Sequence, residues 1–255
     1  AVLTGTPSAA ALYLGRNDYY AVRGTEGYAY RILDRNGDGV ERWLGSPWLE
    51  TDEEILAAFN AIPRVWLVLE RWGLIKEYYS PLTMQRILAM TDFVREDTGI
   101  VVLSSRPSAQ LIPVNPSSPL SVNFDDQLTL DGYHLTWETV GGLDEGDRVL
   151  GLVLYWQAQS VLPFDYTVFV HLRDAAGQNV AQADHQPLAP VYPPTLWPVG
   201  QTIRDRGVLT LPEEVPAGEY NLWVGVYRLD TLERLPVVDS EHADNAVLMG
   251  PVVVP

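Results

Sequence analysis

From residue 122 to the C-terminus no segment repeats its apolar residues at a helical period, and this limits the fold more than any other feature of the sequence. What appears instead is a succession of short runs rich in β-branched and aromatic residues: Gln127–Leu130, Tyr133–Glu138, Val149–Gln157, Tyr166–Arg173, Asn179–Ala183, Gly207–Leu211, Glu219–Tyr227, Arg234–Val238 and Val247–Val254. Turn chemistry such as Asp174-Ala175-Ala176-Gly177 and Pro216-Ala217-Gly218 separates them. Strands at that spacing predict an all-β sandwich, immunoglobulin-like or jelly-roll-like. In one run Tyr220, Leu222, Val224 and Val226 alternate with Asn221, Trp223, Gly225 and Tyr227, so one strand face is aliphatic and the other carries two large aromatic rings.

Residues 1 to 106 read differently. Short apolar runs alternate with amphipathic segments there, the pattern of a small α/β domain built on a mainly parallel sheet. Val2-Leu3, Asp18–Val22, Tyr28–Leu33, Val65–Leu69 and Ile100–Leu103 are the strand candidates. Thr6-Pro7 reads as the start of a short helix over Ser8–Leu14. Thr51-Asp52-Glu53-Glu54 is a capping box, and Ile55, Leu56, Phe59 and Ile62 after it form one apolar stripe before Pro63. Ser80-Pro81 starts a further helix whose inner face is read as Met84, Ile87, Leu88, Thr91 and Val94, ending at Thr98-Gly99. Residues 107 to 121 are rich in Pro and Ser and read as a semi-rigid linker, leaving 122 to 255 as the sandwich domain.

With 47% apolar residues and 8 Trp, the chain has the material for two sizeable cores. Its formal net charge of -16 offers no basic patch to a nucleic-acid backbone and disfavours adsorption to anionic lipid. There is no cysteine, so disulfides and thiolate zinc sites are excluded. No apolar run reaches the ~18 residues that a membrane-spanning helix requires. The opening Ala1-Val2-Leu3-Thr4-Gly5 reads as a buried strand with neither an initiator Met nor a signal peptide before it, so a truncated or processed product is expected.

Three constellations are candidates for chemistry. Asp34, Asn36 and Asp38 stand at positions 1, 3 and 5 of a calcium-type loop with Gly39 at 6, but position 12 is Gly45 where a bidentate Glu belongs. The simpler reading of the same residues is a hairpin turn, since Asn-Gly and Asp-Gly supply positive φ. His171, Asp184 and His185 are placed to converge across a hairpin, as a polar cluster that is either catalytic, metal-binding or one buried His donating to an Asp. Trp156, Trp197, Trp223 and Tyr227 are candidates for stacking on sugar rings, against the alternative that they fill the core. The carboxylate groups Asp52-Glu53-Glu54, Asp144-Glu145-Gly146-Asp147 and Glu213-Glu214 sit at a helix start or in turns, where solvation explains them.

Tyr13-Leu14-Gly15-Arg16-Asn17-Asp18-Tyr19-Tyr20 and Pro63-Arg64-Val65-Trp66-Leu67-Val68, with the helix and strand that close this half, resemble the C-terminal extracytoplasmic domain of bacterial polytopic glycosyltransferases related to protein O-mannosyltransferases and the aminoarabinose transferase. The resemblance covers residues 1 to 105. Leu154-Tyr155-Trp156-Gln157, Phe169-Val170-His171-Leu172, Trp197-Pro198-Val199-Gly200 and Pro216-Ala217-Gly218-Glu219-Tyr220 resemble a β-sandwich appended to such proteins. The family's catalytic acidic residues lie in a loop between membrane helices that matches nothing here, so the resemblance implies no catalytic residue in this chain.

The expectation is therefore an accessory region, outside the cytoplasm at the cell surface or in the periplasm, of a membrane-bound glycosyltransferase that uses a polyprenyl-phosphate sugar. It is expected to position a glycan or acceptor, with the membrane reached through helices elsewhere in the full-length protein. The alternatives are an independent carbohydrate-binding or adhesion module, and a hydrolase using His171 and Asp184. No cofactor is expected beyond calcium at the Asp34 loop.

Overall fold

The computed structural model describes residues 1–5, 14–21, 32–71, 79–105, 113–138, 148–238 and 244–255. The expected helix over Ser8–Leu14 lies, all but its last residue, outside them, as do most of the expected strand Tyr28–Leu33 and the acidic stretch at 144–147. The chain forms two compact units, Ala1–Ile112 and Pro113–Pro255.

In the first unit β1 (Val2–Thr4), β2 (Tyr19–Ala21), β3 (Ile32–Arg35), β4 (Asp38–Glu41) and β5 (Trp48–Leu49) precede helix α1 (Asp52–Ala61), strand β6 (Trp66–Glu70), helix α2 (Pro81–Met90), β7 (Thr91–Asp97) and β8 (Ile100–Ser105). Six of the strands form one sheet in the order β5-β2-β1-β6-β8-β7. β5, β2, β1 and β6 are parallel, and β8 and β7 add antiparallel at one edge. The centre is dry: Leu3, Leu67 and Leu69 are fully buried, as expected where a sheet is covered on both faces.

α1 begins as the capping box requires. The Thr51 hydroxyl accepts from the Glu54 amide at 3.2 Å, and Glu54 reaches back to the Thr51 amide at 3.1 Å. Ile55, Leu56 and Phe59 are its buried face.

α2 is shorter than the sequence implied. It stops at Met90, and the β-branched and aromatic run Thr91-Asp92-Phe93-Val94 extends as β7, leaving Val94 exposed on the sheet edge rather than inside a helix face. Thr98 and Gly99, both at positive φ, are the turn of a β7–β8 hairpin rather than a helix end.

The second unit contains β9 (Ser118–Phe124), β10 (Leu128–Glu138), β11 (Arg148–Ala158), β12 (Tyr166–Arg173), β13 (Asn179–His185), β14 (Thr202–Leu211), β15 (Gly218–Arg228) and β16 (Ala246–Val254). They make two four-stranded antiparallel sheets, β14-β11-β10-β9 and β13-β12-β15-β16, packed as a sandwich. The fold class is thus a small α/β unit followed by an all-β sandwich.

Several boundaries differ from the sequence reading, among them the start of β14, at Thr202 rather than Gly207. Ser118 to Ser121, read as linker, belong to β9. The two candidates Gln127–Leu130 and Tyr133–Glu138 are one strand, broken only by a bulge between Leu130 and Gly132. Arg234–Val238 makes isolated bridges, Tyr227 with Arg234 and Phe124 with Val237, but no strand.

Inside the sandwich, Leu150, Leu152, Leu154 and Trp156 of β11 face Val168, Val170 and Leu172 of β12 and Leu222, Val224 and Val226 of β15, all buried. β11 is buried on its other face too. There the Tyr155 hydroxyl donates to the Pro113 carbonyl at 2.9 Å, and Arg204 Nε donates to the Val114 carbonyl at 3.0 Å, so the segment entering the unit lies over the sheet. β16 is an edge strand carrying Pro251 opposite Asn221.

Replacing Thr51 with Ala removes one half of the capping box without touching the core. The first unit should lose about 1 kcal/mol, read as a lower urea midpoint for its transition while the transition of the sandwich is unchanged.

Candidate functional site

β12, β13 and β15 point one set of side chains into the sandwich and the alternate set out. Phe169, His171 and Arg173 of β12 share the outer set with Trp223, Gly225 and Tyr227 of β15, and cross-strand register pairs His171 with Trp223 and Phe169 with Gly225. On the other side of β12, Asp184 of β13 lies opposite Phe169. The aromatic pair thus stands on one face, as the alternation in sequence required.

Phe169 is buried although it belongs to the outer set, because it lies flat over Gly225. A Cβ at position 225 would come within 2.2 Å of the Phe169 ring, closer than any side chain tolerates. The Arg234 guanidinium sits over the Phe169 ring, 4.2 Å from its centroid, and donates to the Asp244 carbonyl at 2.6 Å. Arg173 lies 4.9 Å from the Trp223 ring centroid and donates to the Asp244 carboxylate at 2.6 Å and to the Asn179 side-chain oxygen at 3.1 Å. Arg234 and Asp244, both within the β15–β16 connection, are therefore held on this face.

Trp223 and Tyr227 remain half-exposed at its two ends, and the Tyr227 hydroxyl donates to the exposed Asp184 carboxylate at 2.9 Å.

Among the described residues, both arginines of the face have carboxylate or carbonyl partners. Burial works against the ionised Asp244 carboxyl, but Arg173 and then Arg234 hold it below the usual carboxylate range. Burial, then Arg173 and Arg234, hold His171 below the ordinary imidazole value against the opposing pull of Asp184 and Asp244, so the ring is neutral near pH 7. Its Nδ1 lies 3.4 Å from the Arg173 guanidinium, which can only donate, placing the ring proton on Nε2. Burial, then Asp184, push the Tyr227 phenol up, keeping it a donor at neutral pH.

The polar cluster expected from His171, Asp184 and His185 divides between two places. Neighbours in a strand face opposite ways, so Asp184 lies on the outer face near Phe169 and His171, while His185 turns into the sandwich. There its Nε2 meets the Asp205 carboxylate of β14 at 2.7 Å, joining the edge strands of the two sheets. Asp205 is fully buried, and its Oδ1 has no hydrogen-bond partner among the described residues. Gly207 leaves room for the imidazole, since a Cβ there would stand 2.8 Å from His185 Cε1.

Asp205 was missing from the sequence-based candidates. Its signal was present: it alternates with Ile203, Gly207 and Leu209 in an inward-facing set, and a carboxylate in such a row demands a cationic or donor partner.

Of the other candidates, Trp156 and Trp197 are core residues at 1% and 4% exposure and present no ring face to a sugar. Trp156 packs edge-on against Phe124, and Trp197 donates its indole N–H to the Tyr192 carbonyl at 2.9 Å.

Asp34, Asn36 and Asp38 form a tight hairpin with Asn36 and Gly37 at positive φ. Asp34 pairs with Gly39 and Asp38 with Arg35, consecutive rows whose side chains leave on opposite faces, and the Asp34 carboxylate accepts from the Gly37 amide at 2.8 Å. The calcium geometry is therefore not assembled. Among the described residues no group of three or more His, Asp or Glu side chains gathers as a metal site requires, and no helix is long and apolar enough to cross a membrane.

No protein family model matches the chain, and no curated protein is similar to it. Weak likeness exists to solved structures. A Bacteroides fragilis protein assigned as a β-galactosidase is 12% identical, with 61% of this chain and 19% of that one covered and a TM-score of 0.33. The C-terminal domain of Wzt is 12% identical, with 48% and 74% covered and a TM-score of 0.31. A calcium-binding mutant of Bacteroides uniformis β-glucuronidase 2 is 10% identical, with 56% and 19% covered and a TM-score of 0.32. The chain thus spans under a fifth of the length of the two enzymes. Scores this low carry no argument about activity.

The ion pair inside the sandwich has a pH signature. Burial opposes the charged imidazole, but the Asp205 carboxylate, and secondarily Asp184, hold His185 above its ordinary value. A raised value means that the pair's contribution is complete below the unfolded imidazole's pKa of about 6.5 and is lost as pH rises through the folded one. His171, with the opposite shift, acts only on the acid side. The melting temperature of the sandwich should therefore fall as pH is raised above about 6.5. Asp205→Asn should flatten that slope; parallel profiles for the two proteins would show that the pair contributes nothing.

Proposed function

We propose that the chain is a non-catalytic glycan-binding region, and that its ligand face is the outer surface of the β13-β12-β15-β16 sheet. One observation carries the reading: Trp223 and Tyr227 stand four residues apart on β15, half-exposed, each held by a polar neighbour. Four residues of strand span about 13 Å, the reach of a short oligosaccharide. Sugars offer C–H faces that pack on aromatic rings and hydroxyl groups that need paired donors and acceptors. Asp184 supplies acceptors beside Tyr227, and the fixed surroundings limit the ordering penalty on binding.

The larger context we propose is the accessory extracytoplasmic part of a membrane-bound glycosyltransferase using a polyprenyl-phosphate sugar, which would present glycan or acceptor to a reaction centre elsewhere. This rests on the resemblance of residues 1 to 105. A secreted or surface carbohydrate-binding module is equally served by the same face. The complete reading frame separates the two: about ten or more apolar spans of membrane length belong to the transferase, and a signal peptide alone belongs to the secreted binder.

On a glycan array the 255-residue chain should bind, and Trp223→Ala should weaken binding at least tenfold without altering the far-UV circular dichroism. Trp156→Ala should act through the fold instead, lowering stability by about 3–5 kcal/mol. Unchanged glycan binding by a folded Trp223→Ala protein would remove this face from consideration.

A further inference from the structure

Resting on the glycan-binding reading of this face, we infer that its ligand is a neutral, hydroxyl-rich saccharide and that Asp244 enforces the exclusion of acidic sugars. Selecting a uronate takes an unmatched guanidinium fork or ammonium group. Among the described residues the outer face holds two arginines, Arg173 and Arg234, and both are engaged. Arg173 reaches Asp244 through Nη2 and Asn179 through Nε; Arg234 donates to the Asp244 main chain and covers Phe169. Against these two cations stand Asp184, Asp244 and the exposed Glu219 of the same β15 face, so among the described residues the face carries no excess positive charge. The neutral His171 adds none.

An incoming carboxylate would have to displace Asp244 from a 2.6 Å contact and approach the exposed Asp184, on a chain whose net charge is -16. A hydroxyl group meets neither obstacle. It can donate to the lone pairs that Asp184 keeps after accepting from Tyr227, and the Tyr227 oxygen can accept in turn. The face is an acceptor-rich edge beside an aromatic ring, the opposite of an anion receptor.

The test is isothermal titration of the 255-residue chain with neutral hexasaccharides (cellohexaose, mannohexaose) and with hexagalacturonate, at 20 mM and 300 mM salt, for the native protein and Asp244→Asn. Native protein should favour a neutral hexasaccharide at least tenfold at both salt concentrations, because the obstacle at contact survives screening. Asp244→Asn removes the carboxylate charge that neutralises Arg173 and should shift the preference toward hexagalacturonate by about tenfold, the value of one charge-assisted contact.

Tighter native binding of hexagalacturonate, or an unshifted preference in a folded Asp244→Asn protein, overturns the inference and leaves glycan binding standing. Binding of none of the three, with Trp223→Ala identical to the native protein, overturns glycan binding itself and this inference with it.

Discussion

Consecutive residues of an extended strand leave the backbone on opposite sides, and most of what distinguishes the sandwich follows from that rule applied to β12, β13 and β15. It puts Val168, Val170 and Leu172 inside and Phe169, His171 and Arg173 outside. It separates Asp184 from His185, one for the surface and one for the interior, although they are neighbours in sequence. A shift of one residue in the pairing of β12 with β15 would bury Trp223 and Tyr227 and expose three aliphatic side chains. The aliphatic row is thus what holds the outer face in register.

The His185–Asp205 pair is a weak source of net stability for its depth. Removing two charges from water offsets much of their attraction, and an unpaired buried oxygen costs about 1–3 kcal/mol more. What the pair provides is selectivity between alternatives: the β13 edge of one sheet meets the β14 edge of the other where a carboxylate finds an imidazole and Gly207 makes room for the ring. On the outer face the corresponding part is played by Asp244, which ties arginines from two segments to one carboxyl group and one carbonyl.

Much of this architecture was readable in the sequence. Local signals were dependable where one physical effect dominated: the capping box at Thr51, the apolar strand after Val65, the alternation from Tyr220 to Tyr227. They failed where two effects competed. Thr91-Asp92-Phe93-Val94 continues the helical spacing of α2 but also suits a strand, and pairing with β8 decided it. The Asp34 loop matches a calcium pattern at positions 1, 3, 5 and 6, yet the pattern cannot register that Asp34 and Asp38 face apart once the hairpin forms. Trp156 and Trp197 could not be told from surface aromatics by type alone, whereas Trp223, alternating with Leu222 and Val224, could. The contributions of Arg173, Arg234 and Asp244 come from distant parts of the chain, and no local pattern links them.

Among the described residues no strand pairs with the outer side of β16, and Leu248 and Val253 are exposed on it. An apolar sheet edge is a template onto which another extended chain can grow, the first step toward fibrils. Pro251 interrupts it: lacking an N–H, it leaves a gap in the outward row of donors, and the neighbouring Gly250, at φ 133, breaks the flatness. The strand can therefore close the sheet for its own molecule while refusing to extend it for a stranger.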